Sequence, residues 1–171
     1  MKTSKSRVIS GLMLLITLTP FLFTSCSDEY VDLRDELTGQ YDYVVKIFAI
    51  DNEGDLVYLG DQEDHYDLEG TMRVTKNADP DVIDFWDGNV MMFNGTDPRD
   101  TGNAIVFDIP DQEGWVGPVN VQVSGYKYWD VDNKSYDGAF LFDDESIEIA
   151  FSARIMDVDT GLVMVLTAFR N

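Results

Sequence analysis

The chain predicts an all-β domain: an antiparallel up-and-down meander of about eight to ten short strands closing into a barrel, with a β-sandwich as the alternative. Three observations predict it. Apolar and polar residues alternate with a period of two over several stretches, Gly-containing turn pairs separate those stretches at short spacing, and nothing after residue 26 shows a helical period. Hydrophobic residues make up 44% and aromatic residues 12% of the 171 positions, which supplies a core and argues against disorder. The length suits one domain. Closure is preferred over an open sheet because it removes edge strands, which otherwise pair with other chains.

The elements follow in chain order. Lys2, Lys5 and Arg7 precede an apolar stretch from Val8 to Phe23, interrupted by Ser10, Gly11, Thr17, Thr19 and Pro20. A spanning helix wants about 20 apolar residues, so this shorter, Pro-broken stretch reads as a cleaved signal peptide over 1–25. Phe23-Thr24-Ser25 leads into Cys26, the single cysteine of the chain. The pattern resembles a bacterial lipobox, whose cysteine thiol receives diacylglycerol and becomes the new N-terminus; Phe23 stands where such boxes usually carry Leu. The competing reading is a free cysteine after an ordinary signal segment. One cysteine excludes an intramolecular disulfide, so the fold rests on its core. Ser27-Asp28-Glu29-Tyr30 resembles the export tag of Bacteroidetes surface lipoproteins, with a plain solvated linker as the competing reading. Residues 26–36 are expected to be the lipidated cysteine and a polar tether, with a short turn near Asp35-Glu36, and 37–171 the barrel domain.

Tyr41 to Ile50 is apolar at Tyr41, Tyr43, Val45, Ile47 and Ala49, one face of a strand. Tyr66, Leu68, Gly70, Met72 and Val74 alternate with polar partners. Val82–Trp86 and Val90–Phe93 flank Asp87-Gly88, the clearest hairpin signal of the chain. Ala104 to Ile109 is a short strand closed by Pro110. Val119, Val121, Val123 and Gly125 form another alternating set, as do Ile147, Ile149, Phe151, Ala153 and Ile155, with Glu148 on the exposed face. Leu162 to Phe169 is apolar on both faces and predicts a strand covered on both sides. Turns are expected at Asn52-Glu53-Gly54, Asn94-Gly95, Asp137-Gly138 and Thr160-Gly161.

Charge narrows the function. The chain holds 12 basic and 32 acidic residues, net −20. Lys2, Lys5 and Arg7 all lie before residue 26 and every acid after it, so 26–171 carries 9 basic against 32 acidic residues, net −23. Such a domain repels nucleic-acid phosphates, whose affinity comes from Lys and Arg releasing counterions. It is repelled by anionic bilayers too, unless a lipid on Cys26 holds it there; multiple acyl chains overcome that repulsion where a single one does not.

Three segments together resemble the lipocalin-like (calycin-like) β-barrel lipoproteins of Bacteroidetes. Leu37-Thr38-Gly39-Gln40-Tyr41 is similar to that family's opening Gly-x-Tyr strand, and Phe107-Asp108-Ile109-Pro110-Asp111-Gln112 to its strand-ending IPxQ. Ile147 to Met156, Thr160-Gly161 and Leu162 to Asn171 resemble its closing hairpin. The resemblance implies an up-and-down barrel whose interior holds a ligand, on an outer-membrane lipoprotein facing the cell exterior or, alternatively, the periplasm. It implies no reaction.

Chemistry-bearing groups are sparse. Glycoside hydrolysis needs two carboxyls about 5 to 10 Å apart, one of them in an apolar pocket. The acids here fall mostly in turns, as with Asp51, Glu53 and Asp55, Asp97 and Asp100, or Asp143, Asp144 and Glu145. Asp130 to Gly138 is acidic like a calcium loop, but Lys134 and Ser135 occupy the positions where an EF-hand needs an oxygen ligand and a glycine. Asp157 to Gly161 reads as a hairpin turn. His65 is the single histidine, set among Asp61, Glu63 and Asp64, and reads as a solvated loop residue; with Cys26 assigned to the lipid, no zinc set or nucleophilic triad has its parts. No metal and no cofactor is assigned. Trp86, Trp115, Trp129, Tyr126 and Tyr128 are candidates to line a pocket or stack on a sugar, against ordinary core packing. The expected function is a lipid-anchored, non-enzymatic binding module for a small molecule, a glycan or a partner protein. The alternatives are a carboxylate-dependent glycan hydrolase and an accessory subunit or adhesin of an outer-membrane complex. An interior void of ~300–1,000 Å³ favours a small ligand; a filled interior favours a protein partner.

Overall fold

The computed structural model describes residues 31–60, 67–131, 134–155 and 161–171. Cys26, His65 and most of the expected Thr160-Gly161 turn lie outside them. The folded unit starts at Asp32, so 32–36, expected as tether, is part of the body. A four-residue helix α1 (Arg34–Leu37) occupies the expected turn and leads into β1 (Gly39–Ile50).

Eight antiparallel strands close the barrel: β1, β3 (Leu68–Lys76), β4 (Val82–Asp87), β5 (Val90–Asp100), β6 (Ala104–Asp108), β11 (Gly138–Leu141), β12 (Ser146–Ile155) and β13 (Gly161–Arg170). β11 pairs with both β6 and β12, which seals the ring. β2 (Leu56–Tyr58) adds to the far end of β1 across the Asn52–Gly54 turn, where Asp51 Oδ1 accepts from the amides of Glu53 and Asp55. Gly88, at φ +57, turns the β4–β5 hairpin as expected.

The wall between β5 and β12 is split, and this is where the chain departs from a simple meander. Near one end β6 and β11 fill it. Near the other, β7 (Gln112–Val116) and β8 (Val119–Gly125) do, with β8 paired to Phe151–Ile155 of β12. No backbone ladder joins β7 to β5. Instead the Gln112 side chain acts as a strand partner: Oε1 accepts from Asn94 N (2.7 Å) and Nε2 donates to Asn94 O (2.9 Å). A Cβ on Gly114 would lie 2.1 Å from Met92 O, so only glycine lets the two backbones pass this closely. The Asn94-Gly95 pair, expected as a turn, therefore lies inside β5. Gly95 faces Phe107 and Phe85, which a Cβ would meet at 3.0 and 3.1 Å.

Where the wall forks, Asp137 is the buried tie: Oδ2 accepts from Ile109 N (2.8 Å), its carbonyl accepts from Ala150 N, and Lys127 Nζ lies 3.3 Å from Oδ1. Asp137-Gly138 is thus a buried junction rather than an exposed turn. A two-stranded hairpin, β9 (Trp129–Val131) and β10 (Lys134–Tyr136), follows from the stretch that resembled a calcium loop. Trp129 and Tyr136 pack on Val106 and Ala139 to form a small second core.

The main core is aromatic. Phe85, Phe93, Phe107 and Phe151 stack with ring centroids 5.1 to 5.6 Å apart. Tyr41, Val45, Met72, Ile147, Ile149 and Leu166 surround them. On β13 the two-sided covering holds at Val163 and Met164, both buried, but fails at Phe169, which is exposed.

Candidate ligand site at the open end of the barrel

The two ends of the barrel are built differently. At one end α1 lies over the opening, and Leu37, 0% exposed, plugs it. Arg34 fixes the helix. Its Nε and Nη2 donate to the Asp32 carboxylate at 2.8 Å each, and Nη1 donates to the carbonyls of Asn77 (3.1 Å) and Asp79 (2.7 Å). Arg34, aided by Lys76, holds the Asp32 carboxyl far below the usual carboxylate range. Tyr41 donates its hydroxyl to Leu37 O (2.8 Å) and accepts from Arg170 Nη2 (2.9 Å), while the Arg170 guanidinium also lies over the Phe140 ring. Every polar group named here has a partner, so this end is a rigid lid.

At the opposite end the side chains stop short of filling the barrel. Ile47, Leu68, Val116, Val119, Val121, Ala153, Leu162 and Met164 line an apolar cavity of ≈190 Å³. These positions come from the terminal residues of β1, β3, β7, β8, β12 and β13. The alternation that packs the barrel middle carries the apolar face to the strand ends, where no helix among the described residues covers it. Ile50, Val57, Leu68, Val90, Trp115 and Val119, all exposed, belong to the strands and turns of this same end. Acids stand at two places on this side, Asp51, Glu53 and Asp55 on the β1–β2 turn and Glu113 on β7, the last in the same cross-strand row as Arg154 of β12. Deeper on this side, Tyr43 donates to Asp87 Oδ2 (3.2 Å). Burial, with the Asp87 charge beside it, pushes the Tyr43 phenol up to about 12, so it stays a protonated donor at neutral pH.

The interior expectation resolves at this point. The barrel middle is filled by phenylalanines, and the cavity at the open end is smaller than the ~300 Å³ at which pockets for whole small molecules begin. An apolar void of ~150 Å³ does hold a benzene ring. The space therefore suits one ring or one short branched alkyl group.

The aromatic candidates do not converge on this cavity. Trp86 is on the outer wall, with Nε1 donating to Thr75 Oγ1 (3.0 Å). Trp115, 40% exposed, is on β7 beside the open end. Tyr128 and Trp129 contact each other edge to face at 6.0 Å; Trp129 packs on the second core while Tyr128 is exposed. Tyr126 is half-buried on the link before them. The turn acids are likewise apart. Asp97, expected in a turn, sits at φ +55 in the β5 irregularity between Thr96 and Arg99. The buried acids, Asp84 and Asp137, each have their own donors, Asp84 from Asn77 and Asn94. Among the described residues no three His, Cys, Asp or Glu side chains form a metal-sized group. Glu148, expected on an exposed face, is half-buried, and burial raises its carboxyl pKa, with Asp144 adding to it.

Sequence reasoning missed the cavity residues because Val119 and Leu162 read as ordinary strand ends and Val116 lay outside every expected strand. The available signal was the absence of any helix-forming stretch after residue 37 to cover that end. No family model matches the chain, and no curated protein matches it.

Proposed function

We propose that the protein is a lipid-anchored cell-envelope binding module, joined to the membrane through Cys26, whose open barrel end receives an apolar side chain of a partner protein. The apolar cavity of ≈190 Å³ carries this reading. Its volume fits one side chain, and the exposed apolar rim of Ile50, Val57, Leu68 and Val119 extends the contact beyond it. Interfaces concentrate their affinity in such a central anchor with a polar rim. The acids on this side favour a partner whose own rim is basic. Among the described residues no helix is long and apolar enough to cross a membrane. The folded unit begins at the capped end, and the cavity lies at the opposite end of the barrel.

The test is photo-crosslinking in intact cells with a photoreactive phenylalanine at Val119. A discrete protein adduct is expected, lost when Ala153→Phe fills the cavity. The same probe at Thr38, on the capped end, is expected to give none. No adduct from Val119, or one that persists with Ala153→Phe, removes this reading. The anchor is tested separately: Cys26→Ala is expected to abolish fatty-acid labelling.

A further inference from the structure

The outer wall over β13, β1, β3 and β4 carries a depression that neither the core nor the open end uses. Strand register dictates its contents. Phe169 lies opposite Asp42, and Asp42 opposite Thr71; in the next row Gln40 lies opposite Arg73, and Arg73 opposite Trp86. These side chains share the outward face, because Tyr41, Tyr43, Met72 and Val74 between them point into the core. Two hollows, of ≈500 Å³ and ≈170 Å³, adjoin across the Asp42–Thr71 pair.

Two exposed side chains mark this wall. Phe169, the penultimate residue of β13, is 54% exposed although it is paired on both sides, with Asp42 and Ser146. Arg73 forms no ion pair with any described residue, in a chain with 32 acids. Its guanidinium rests 5.8 Å from the Trp86 ring, and Trp86 is itself pinned by Thr75. An aromatic face thus positions Arg73 while leaving its N–H donors unspent.

We propose that this wall binds a neutral oligosaccharide. The apolar face of one sugar ring stacks on Phe169. Its hydroxyls donate to Asp42, a carboxylate already oriented by Asn171 Nδ2 at 3.2 Å, and to Glu69 at the edge of the larger hollow. Arg73 and Gln40 donate to the oxygens of the next units in the smaller hollow. From β13 to β4 is three strand spacings, about 14 Å, the span of a short chain rather than of one sugar. Asp42 and Glu69 beside a single arginine disfavour an anionic chain, and the net charge of −20 repels one from a distance.

Affinity electrophoresis tests this with the full chain in a sugar-free nonionic detergent. Native gels contain laminarin, mannan, dextran or hydroxyethylcellulose, with heparin as the anionic comparison. Retardation by at least one neutral polysaccharide is expected, and none by heparin. Phe169→Ala is expected to weaken it about tenfold, and Thr71→Trp, which fills the junction of the two hollows, to abolish it. Ala153→Phe is expected to leave it unchanged, which separates this wall from the open end. Retardation by none of the four neutral polymers, undiminished retardation of Thr71→Trp, or stronger retardation by heparin than by any neutral polymer overturns the proposal.

Discussion

The capped and open ends of this barrel share β1, β3, β4, β5, β12 and β13, but β6 and β11 complete the wall at the first and β7 and β8 at the second. One end is closed by polar chemistry and the other left apolar and unfilled. At the lid, Leu37 fills the opening while Arg34 donates to the carbonyls of Asn77 and Asp79 and Arg170 to that of Glu36. At the other end Leu162, Met164 and Val119 face a cavity instead of a plug. The difference shows that barrel closure and barrel filling are separate problems. Backbone pairing through β6 and β11 solves the first near the lid and the Gln112 bridge to Asn94 completes it at the other end, whereas each end needs its own side chains for the second.

The largest test of this contrast is a pair of truncations. Leu37→Ala removes a fully buried plug and is expected to cost about 2–5 kcal/mol in urea unfolding. Leu162→Ala enlarges a space that already exists and is expected to cost less than about 1 kcal/mol. Equal costs would mean that the two ends are packed alike.

The next effect concerns the lid network. Arg34→Ala takes from Asp32 its two-pronged guanidinium partner, leaving Lys76, and removes the guanidinium bonds to the Asn77 and Asp79 carbonyls; it is expected to cost about 2–3 kcal/mol. Asp32→Asn isolates the charge. Arg34, first among the causes, depresses the folded pKa of Asp32. Its ionic contribution is therefore complete above the unfolded carboxylate value of about 3.9 and lost as pH falls through the folded value. The stability gap between wild type and Asp32→Asn is expected to be flat from pH 7 to about 5 and to close in stronger acid. A gap that closes near neutrality would sink this account.

A smaller effect of opposite sign belongs to the open end. Ala153→Phe fills the cavity and is expected to raise stability by about 0.5–2 kcal/mol. Destabilisation would show that the strand ends there are packed more tightly than the cavity indicates. The smallest effect is at Glu148, on the wall near the lid. Burial raises its folded pKa, so its ionised form costs stability above that value and the cost is relieved as pH falls through it. Glu148→Gln is expected to raise the melting temperature slightly at pH 7, with the benefit vanishing by about pH 4.

The sequence by itself determined most of the wall. Alternation placed Tyr41, Tyr43, Val45, Met72, Val74, Ile149 and Phe151 inside, because a period of two has only one buried solution once a barrel closes. Asp87-Gly88 marked its hairpin, because positive φ is a local demand that a short sequence can announce. Asn94-Gly95 carries the same local signal but serves a different need. Gly95 avoids Phe107 and Phe85, and Asn94 is engaged by Gln112, 18 residues away, so neither purpose is visible within the strand. Tertiary structure alone decided the forked wall, the side-chain bridge from Gln112 to β5, the burial of Asp137 and Glu148, and which end of the barrel received a lid. These depend on which strand ends meet across the ring. Contacts among residues far apart in the chain leave no periodic trace in it, and so the cavity at the open end and the Phe169–Arg73 wall became legible only when the strands were in register.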